Sequence, residues 1–219
     1  MFSCFLDRRI VSIEGNIGSG KTTLFERLKK NLVGKNVIFV EEPVDLWESI
    51  RDSESTTILQ KFYSNPEKYS FSFQTMAFFS RLFLLQKALA SSTSDTVIVT
   101  ERSLLSDRAV FAKMLYDSGK IEDINYQIYL HNSDAFLETL PLSGILYLKT
   151  DPKVCEHRIA NRNRPGEASI ELLYLEQCSS YHNSMISGVS CPVLPIDGNQ
   201  SFSLNNDIEG FILGVLPEN

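Results

Sequence analysis

The chain is short of cysteine, of net positive charge and of long apolar runs, and each shortage closes off a class of protein. Its four cysteines, Cys4, Cys155, Cys178 and Cys191, are scattered through 219 residues with no C-x-x-C spacing. That excludes the usual zinc clamps, and a chain of this size has core enough to fold without disulfide staples. Reduced thiols in a cytoplasmic compartment are the expectation. A formal charge of −6 and a pI near 5.2 argue against an extended nucleic-acid or anionic-membrane surface, because such surfaces require an excess of Lys and Arg on one face. A small anionic ligand needs only a few local cations and stays open. No apolar run approaches bilayer length, and about eight residues precede the first β-rich run, so neither a signal nor a transit peptide is expected within this sequence. There is no internal repeat, and the one low-complexity stretch is the short Ser91-Ser92-Thr93-Ser94 loop.

What is present is a hydrophobic content of 43%, enough for one α/β domain over residues 1–219. Five β-rich runs, Arg9 to Ile13, Asn36 to Val40, Thr96 to Thr100, Gly144 to Leu148 and Cys191 to Ile196, alternate with segments of helical period. Continuous apolar runs such as Val37 to Val40 and Val97 to Val99 read as strands buried on both faces, which suits a parallel sheet covered by helices on each side. In such a doubly wound fold the ligand site lies at the carboxyl ends of the strands.

The residues following the first run are Gly15-Asn16-Ile17-Gly18-Ser19-Gly20-Lys21-Thr22-Thr23, a phosphate-loop pattern in the required order of strand, loop and helix. The helix runs from Lys21 to about Asn31, with Leu24, Leu28 and Leu32 on one stripe. Glycines let the backbone wrap a polyphosphate, the helix start adds positive potential, Lys21 reaches the outer phosphates and Thr22 offers a hydroxyl to Mg²⁺. A nucleoside triphosphate site is therefore expected.

Such a loop leaves the reaction open, and the other strand ends must decide it. Glu42 follows the second strand and Glu101-Arg102 the third; phosphoryl transfer needs cations on the spreading charge and a carboxylate to orient or deprotonate an acceptor hydroxyl. Strand-end charges taken singly are more often plain solvated groups, but the set is not. Arg158, Arg162 and Arg164 sit on a helix entering a Pro-Gly segment and read as a lid that closes over phosphates. On the long helix from about Glu67 to Ala90, Gln74, Ala77, Phe78 and Arg81 share one stripe, and an arginine in so apolar a segment either snorkels or meets an acid, for which Asp107 is the candidate. With Trp47, Phe73 and Phe111 as walls, this stripe could hold a planar heterocycle, although aromatics alone are more often core.

Taken in order, these motifs resemble the cellular type of deoxyribonucleoside kinase. The residues that carry the resemblance are Gly15 to Thr23 (GNIGSGKTT), Glu42 to Trp47 (EPVDLW), Phe62-Tyr63 with Asn65-Pro66-Glu67, Phe71 to Gln74 (FSFQ), Glu101 to Arg108 (ERSLLSDR), and His157 to Arg164 with Tyr174-Leu175-Glu176. The resemblance implies a P-loop kinase fold, a five-stranded parallel sheet with helices on both faces and an arginine-bearing lid over about 158–170. It implies ATP as donor, Mg²⁺ as cofactor, a deoxynucleoside as acceptor and a homodimer. Glu42 would be the general base, Arg102 a bridge between Glu42 and the incoming phosphate, Lys21 a phosphate ligand, and Thr22 with Glu101 the metal organisers. Gln74 would pair with the base edge, Trp47 and Phe111 wall it, Phe73 stack on it and Phe62 help line the pocket. Tyr63 and Glu167 would hold the sugar 3′-hydroxyl. Arg158, Arg162 and Arg164 would form the lid, and Gln200, Ser201 and Phe202 would meet the adenine of the donor. Arg81, Asp107 and the small Ala77 match the deoxycytidine and deoxyguanosine kinase branch, so deoxycytidine or purine deoxynucleosides are expected over thymidine, whose methyl group a charged pair would crowd. Without an N-terminal extension a mitochondrial form is disfavoured. A nucleoside monophosphate kinase of thymidylate kinase type is the nearest alternative, and a non-catalytic NTP-binding subunit another. Glu42 weighs against the first, since it would repel a phosphate acceptor.

Overall fold

A computed structural model of the chain describes residues 8–162, 164, 166–167, 170–200 and 206–214. Its centre is a five-stranded sheet in the order β2-β3-β1-β4-β5, with every ladder parallel. The strands are β1 (Arg9–Gly15), β2 (Val37–Val40), β3 (Val97–Glu101), β4 (Gly144–Lys149) and β5 (Val193–Asp197). Each expected run is a strand, with ends shifted by one or two residues; Glu101, expected just beyond the third strand, is its last residue. One expectation fails. β2 was read as buried on both faces, but it is the sheet edge, and three of its four residues are only half-buried. An apolar run marks a strand without saying whether a neighbour covers its far side.

The helices are α1 (Lys21–Asn31), α2 (Val44–Ser49), α3 (Ile58–Ser64), α4 (Pro66–Ser91), α5 (Leu104–Ser106), α6 (Lys113–Asp117), α7 (Asp123–Leu137), α8 (Pro152–Arg162), α9 (Leu172–Gly188) and α10 (Asn206–Gly214). A π-helical turn, Asp107–Ala112, joins α5 to α6 without a break. Side-chain alternation along β1 and β3 divides the core. Ile10 and Ile98 pack with Phe78, Leu82 and Leu85 of α4 and Tyr129 of α7, whereas Val11, Ile13, Val97 and Val99 pack with Leu24, Phe25 and Leu28 of α1 and Ile208 and Ile212 of α10. Helices thus cover both faces. α4 begins where the Asn65 side chain accepts from the Lys68 amide and Pro66 takes the first turn, an arrangement that satisfies a free N–H and presets the backbone. It buries Phe78 and Leu89 almost completely, each contributing roughly 1.5–3 kcal/mol, which helps offset drawing Arg81 out of water on the same helix.

Parallel register brings the strand ends together. Ile13 pairs with Glu101, Val40 with Thr100 and Gly15 with Leu148, so the phosphate loop, Glu42 and Arg102 all emerge at the same end of the sheet.

Candidate active site

The loop after β1 turns through three glycines with positive φ, Gly15 (147°), Gly18 (76°) and Gly20 (102°). Two of them also tolerate no side chain: a Cβ on Gly15 would stand 2.6 Å from the Leu148 carbonyl oxygen, and one on Gly18 2.7 Å from that of Cys155 on α8. The loop is therefore wedged between β4 and α8 with its shape fixed before any ligand arrives. Lys21 opens α1, lies buried, and donates to the Asn16 carbonyl at 2.6 Å. Burial and the nearby Arg102 charge pull its pKa down to about 7, against the opposing pull of Glu101, Glu42 and Glu14. An anion reaching the loop would meet a lysine with few other partners. The Thr22 hydroxyl donates to Glu101 Oε1 at 2.7 Å, and burial followed by the charge of Glu42 raises the Glu101 pKa.

Beside this loop, Glu42 sits between two guanidiniums. Its Oε1 accepts from Arg81 Nη2 at 3.1 Å and lies 3.3 Å from Arg102 Nε. Burial opposes its charge, but Arg102 and Arg81 outweigh burial and hold the carboxyl below its usual range. Arg102 itself has φ 66°, a conformation uncommon outside glycine. At this kink the Arg102 Nη1 donates to the Gly15 carbonyl at 2.9 Å. Arg81 is buried as expected against Asp107, with Nε donating to Oδ2 at 2.8 Å. Its further contacts, to Glu42 and to the Glu101 carbonyl oxygen at 2.7 Å, went unanticipated. The π-helical turn presents Asp107 to Arg81 and, one turn on, Phe111 to Arg102, whose guanidinium lies 4.7 Å from the ring centre.

These groups share one cleft of roughly 650 Å³. Its inner part is walled by Trp47, Phe62, Phe73, Ala77 and Phe111, with the buried Gln74 amide making no hydrogen bond among the described residues. Phe73 stands edge-on to Trp47 at 5.5 Å and parallel to Phe62 at 4.7 Å, while the Trp47 indole donates to Ser80 Oγ at 3.0 Å. Tyr63 and Glu167 line the same cleft. The Glu167 carboxylate is held by two lid arginines, Arg162 at 2.5 Å and Arg164 at 3.3 Å. Arg158 instead reaches the loop, donating to the Ser19 carbonyl at 3.0 Å. Gln200 is exposed beyond β5; Ser201 and Phe202 lie outside the described residues.

Among known sequences, the profile of the family described as deoxynucleoside kinase matches residues 11–214. The chain belongs to the deoxynucleoside kinase family. A probable deoxycytidine kinase of Fowlpox virus (strain NVSL) is 34% identical over 210 residues, covering 93% of this chain and 84% of that protein. Human deoxycytidine kinase is 34% identical over 221 residues, covering 88% and 84% respectively, and the mitochondrial deoxyguanosine kinase of Xenopus laevis is 30% identical over 240 residues, covering 94% and 90%. This deoxynucleoside kinase is thus a phosphotransferase acting on deoxynucleosides, and no helix among its described residues is long and apolar enough to cross a membrane.

Sequence reasoning missed two buried groups of the kinase site. Glu14, just before the loop, accepts from Ser12 at 3.0 Å and Ser103 at 2.5 Å, and burial raises its pKa. His182 of α9 touches Arg102. A signal for His182 existed: Leu175, Cys178, His182 and Met185 are the buried residues of α9 and fall on one helical stripe. For Glu14, a lone acid inside a β-run, no pattern was available.

Proposed function

We propose that this kinase transfers the γ-phosphoryl group of ATP to the 5′-hydroxyl of a deoxynucleoside, with deoxycytidine or a purine deoxynucleoside preferred over thymidine. The observation that carries the reading is Glu42, an ionised carboxylate fixed between Arg81 and Arg102 in the cleft that also contains the phosphate loop. A hydroxyl acceptor gains from such a carboxylate, which can orient it and take its proton, whereas a monophosphate acceptor would be repelled. Arg102 then bridges Glu42 and the incoming phosphate, Lys21 and the loop amides hold the donor phosphates, and Arg158, Arg162 and Arg164 close from the lid. Opening the Glu167 pairs with Arg162 and Arg164 would free those cations for phosphate and leave Glu167 beside Tyr63 to meet the 3′-hydroxyl.

The residues fit a divalent cation of the Mg²⁺ type. Thr22 and Glu101 offer two oxygens 2.7 Å apart at the loop, and the described residues contain no cluster of three His, Cys, Asp or Glu; a small hard cation that takes most of its ligands from phosphate and water suits so sparse a set. When bound, it neutralises charge on the phosphates. The base preference rests on Arg81 and Asp107, buried and paired beside Gln74 and Ala77. Ionic edges there favour an amino-bearing base and crowd a C5 methyl. Gln200 to Phe202 are assigned to the donor adenine, residues 1–219 to one domain, the compartment to the cytoplasm, and the assembly to a homodimer.

Initial rates with the four natural deoxynucleosides and their monophosphates, with ATP and Mg²⁺, test the reading. Phosphorylation of deoxycytidine or a purine deoxynucleoside well above thymidine is expected, and a preference for any monophosphate would overturn it.

A further inference from the structure

The two nitrogens of the buried His182 ring face groups of opposite character. Nδ1 lies 2.8 Å from the carbonyl oxygen of Cys178 on the same helix, an atom that only accepts, so Nδ1 carries the proton. Nε2 lies 3.4 Å from Nη1 of Arg102, a group that only donates, so Nε2 offers its lone pair. Together the contacts select one neutral tautomer. The remaining neighbours agree with it. From β4 the Tyr147 ring lies nearly parallel at 6.5 Å, from the π-helical turn Phe111 stands edge-on at 5.8 Å, and no carboxylate contacts the imidazole among the described residues. Burial first, then the charges of Arg102 and Lys21, push the pKa of His182 down to about 3, although its bond to Cys178 pulls the other way.

Arg102 needs such a neighbour. Its backbone is in the left-handed region, and its guanidinium has to be held in one plane while its charge stays available to phosphate. Glu42 meets it at Nε, the Gly15 carbonyl at Nη1 and the Phe111 face from one side. A second carboxylate at the Nη1 edge would fix the plane but cancel the charge. A neutral imidazole fixes the plane and leaves the charge intact.

We propose that His182 is a positioning residue for phosphoryl transfer: its unprotonated Nε2 accepts from Arg102 Nη1 and holds the guanidinium in the orientation that meets both Glu42 and the transferring phosphate. The assignment rests on the role given to Arg102 above. It predicts that the acceptor atom matters, and that shape alone does not suffice. His182→Leu keeps bulk and apolar packing but removes the acceptor, whereas His182→Gln places an amide oxygen near the position of Nε2.

Turnover and binding in these two variants, with their melting temperatures as a folding control, form one arm of the test. For His182→Leu, kcat is expected to fall about tenfold, the scale of one hydrogen bond to a charged group, with dissociation constants for nucleoside and triphosphate within about twofold of wild type. His182→Gln should recover most of the loss. The other arm needs no turnover and no stable Leu variant: long-range ¹H–¹⁵N spectra of the histidine-labelled wild-type enzyme, assigned by the signal lost in His182→Gln. One imidazole should be the Nδ1–H tautomer and should not titrate between pH 6 and 9. A titrating His182 or an Nε2–H tautomer overturns the contact itself. An unchanged kcat in His182→Leu, or a Gln variant as slow as the Leu variant, overturns the positioning role even where the spectra agree. If Arg102→Lys turns over as fast as wild type, the role of Arg102 has failed and the positioning role of His182 falls with it, while the spectral arm still decides the tautomer.

Discussion

Burial leaves Lys21 with a pKa of about 7, lowered chiefly by desolvation and then by Arg102. A lysine is charged below its pKa, so in the empty enzyme the charge fades as pH rises through about 7. Bound phosphates bring the opposite charge and restore it, so triphosphate binding above neutrality must draw a proton from solution. We expect the affinity for the triphosphate to fall as pH rises from 7 to 9, and calorimetry at pH 8 in buffers of different ionisation enthalpy to show proton uptake. The Lys21→Arg variant should show neither effect, because arginine stays protonated throughout; wild type binding without uptake would refute the assignment. Lys21 was legible because the loop pattern fixes backbone, charge and hydroxyl at set spacings. Glu42 was legible for a weaker reason, as an acid after a strand in a fold whose strand ends form the site. The neutral state of His182 was not, because it depends on burial and on the charge of Arg102, which lies 80 residues away.

At the scale of elements, α4 and the segment that follows β3 are a matched pair. α4 supplies Gln74, Ala77 and Arg81 from one stripe, and its helical period was plain in the sequence. Its partner is α5 continued through the π-helical turn. Such a turn changes which residues face inward, yet only ordinary helix-forming residues mark it, so nothing in the sequence announced that Asp107 and Phe111 would point to different arginines. Since Arg81 and Asp107 are both buried, removing Arg81 strands Asp107, at roughly 3–5 kcal/mol, removing Asp107 leaves Arg81 to Glu42 and costs less, and each single variant should lose stability and activity. The double variant Arg81→Met with Asp107→Ala removes both charges and opens room for the thymine methyl. Because Arg81 also holds Glu42 and the Glu101 carbonyl, the double variant should be slower overall, with Arg102 left alone on the carboxylate. The expected readout is therefore the ratio of thymidine to deoxycytidine efficiency, raised about tenfold or more in the double variant. An unchanged ratio would mean that the pair does not read the base.

Across the whole molecule the parallel register gathers every proposed catalytic residue, Lys21, Glu42 and Arg102, at one end of a single sheet. The outer surface is less self-contained. On α4, Phe79 and Phe83 are 40% and 66% exposed, and on the adjacent α7, Ile124 and Ile128 are 62% and 47% exposed. The apolar excess of α4 was visible in the sequence around Phe78 to Leu89, but the contribution of α7 was not, since its exposed isoleucines alternate with polar residues and only the packing of the two helices, Phe78 on Tyr129 and Phe79 on Phe136, makes them neighbours. Large outward aromatics on packed helices mark a surface that another subunit can cover. Sedimentation at micromolar concentration should give twice the chain's 24.8 kDa. Phe83→Lys with Ile124→Lys places charges at the two most exposed of these positions, away from the cleft, and should give a particle of one chain. If the site is complete within a protomer, that variant should keep its kcat for the best deoxynucleoside within about twofold, because neither residue touches a group that holds substrate. Wild-type enzyme sedimenting as a single chain would remove the dimer from the account, and a dissociated variant without turnover would show that the partner contributes to the site after all.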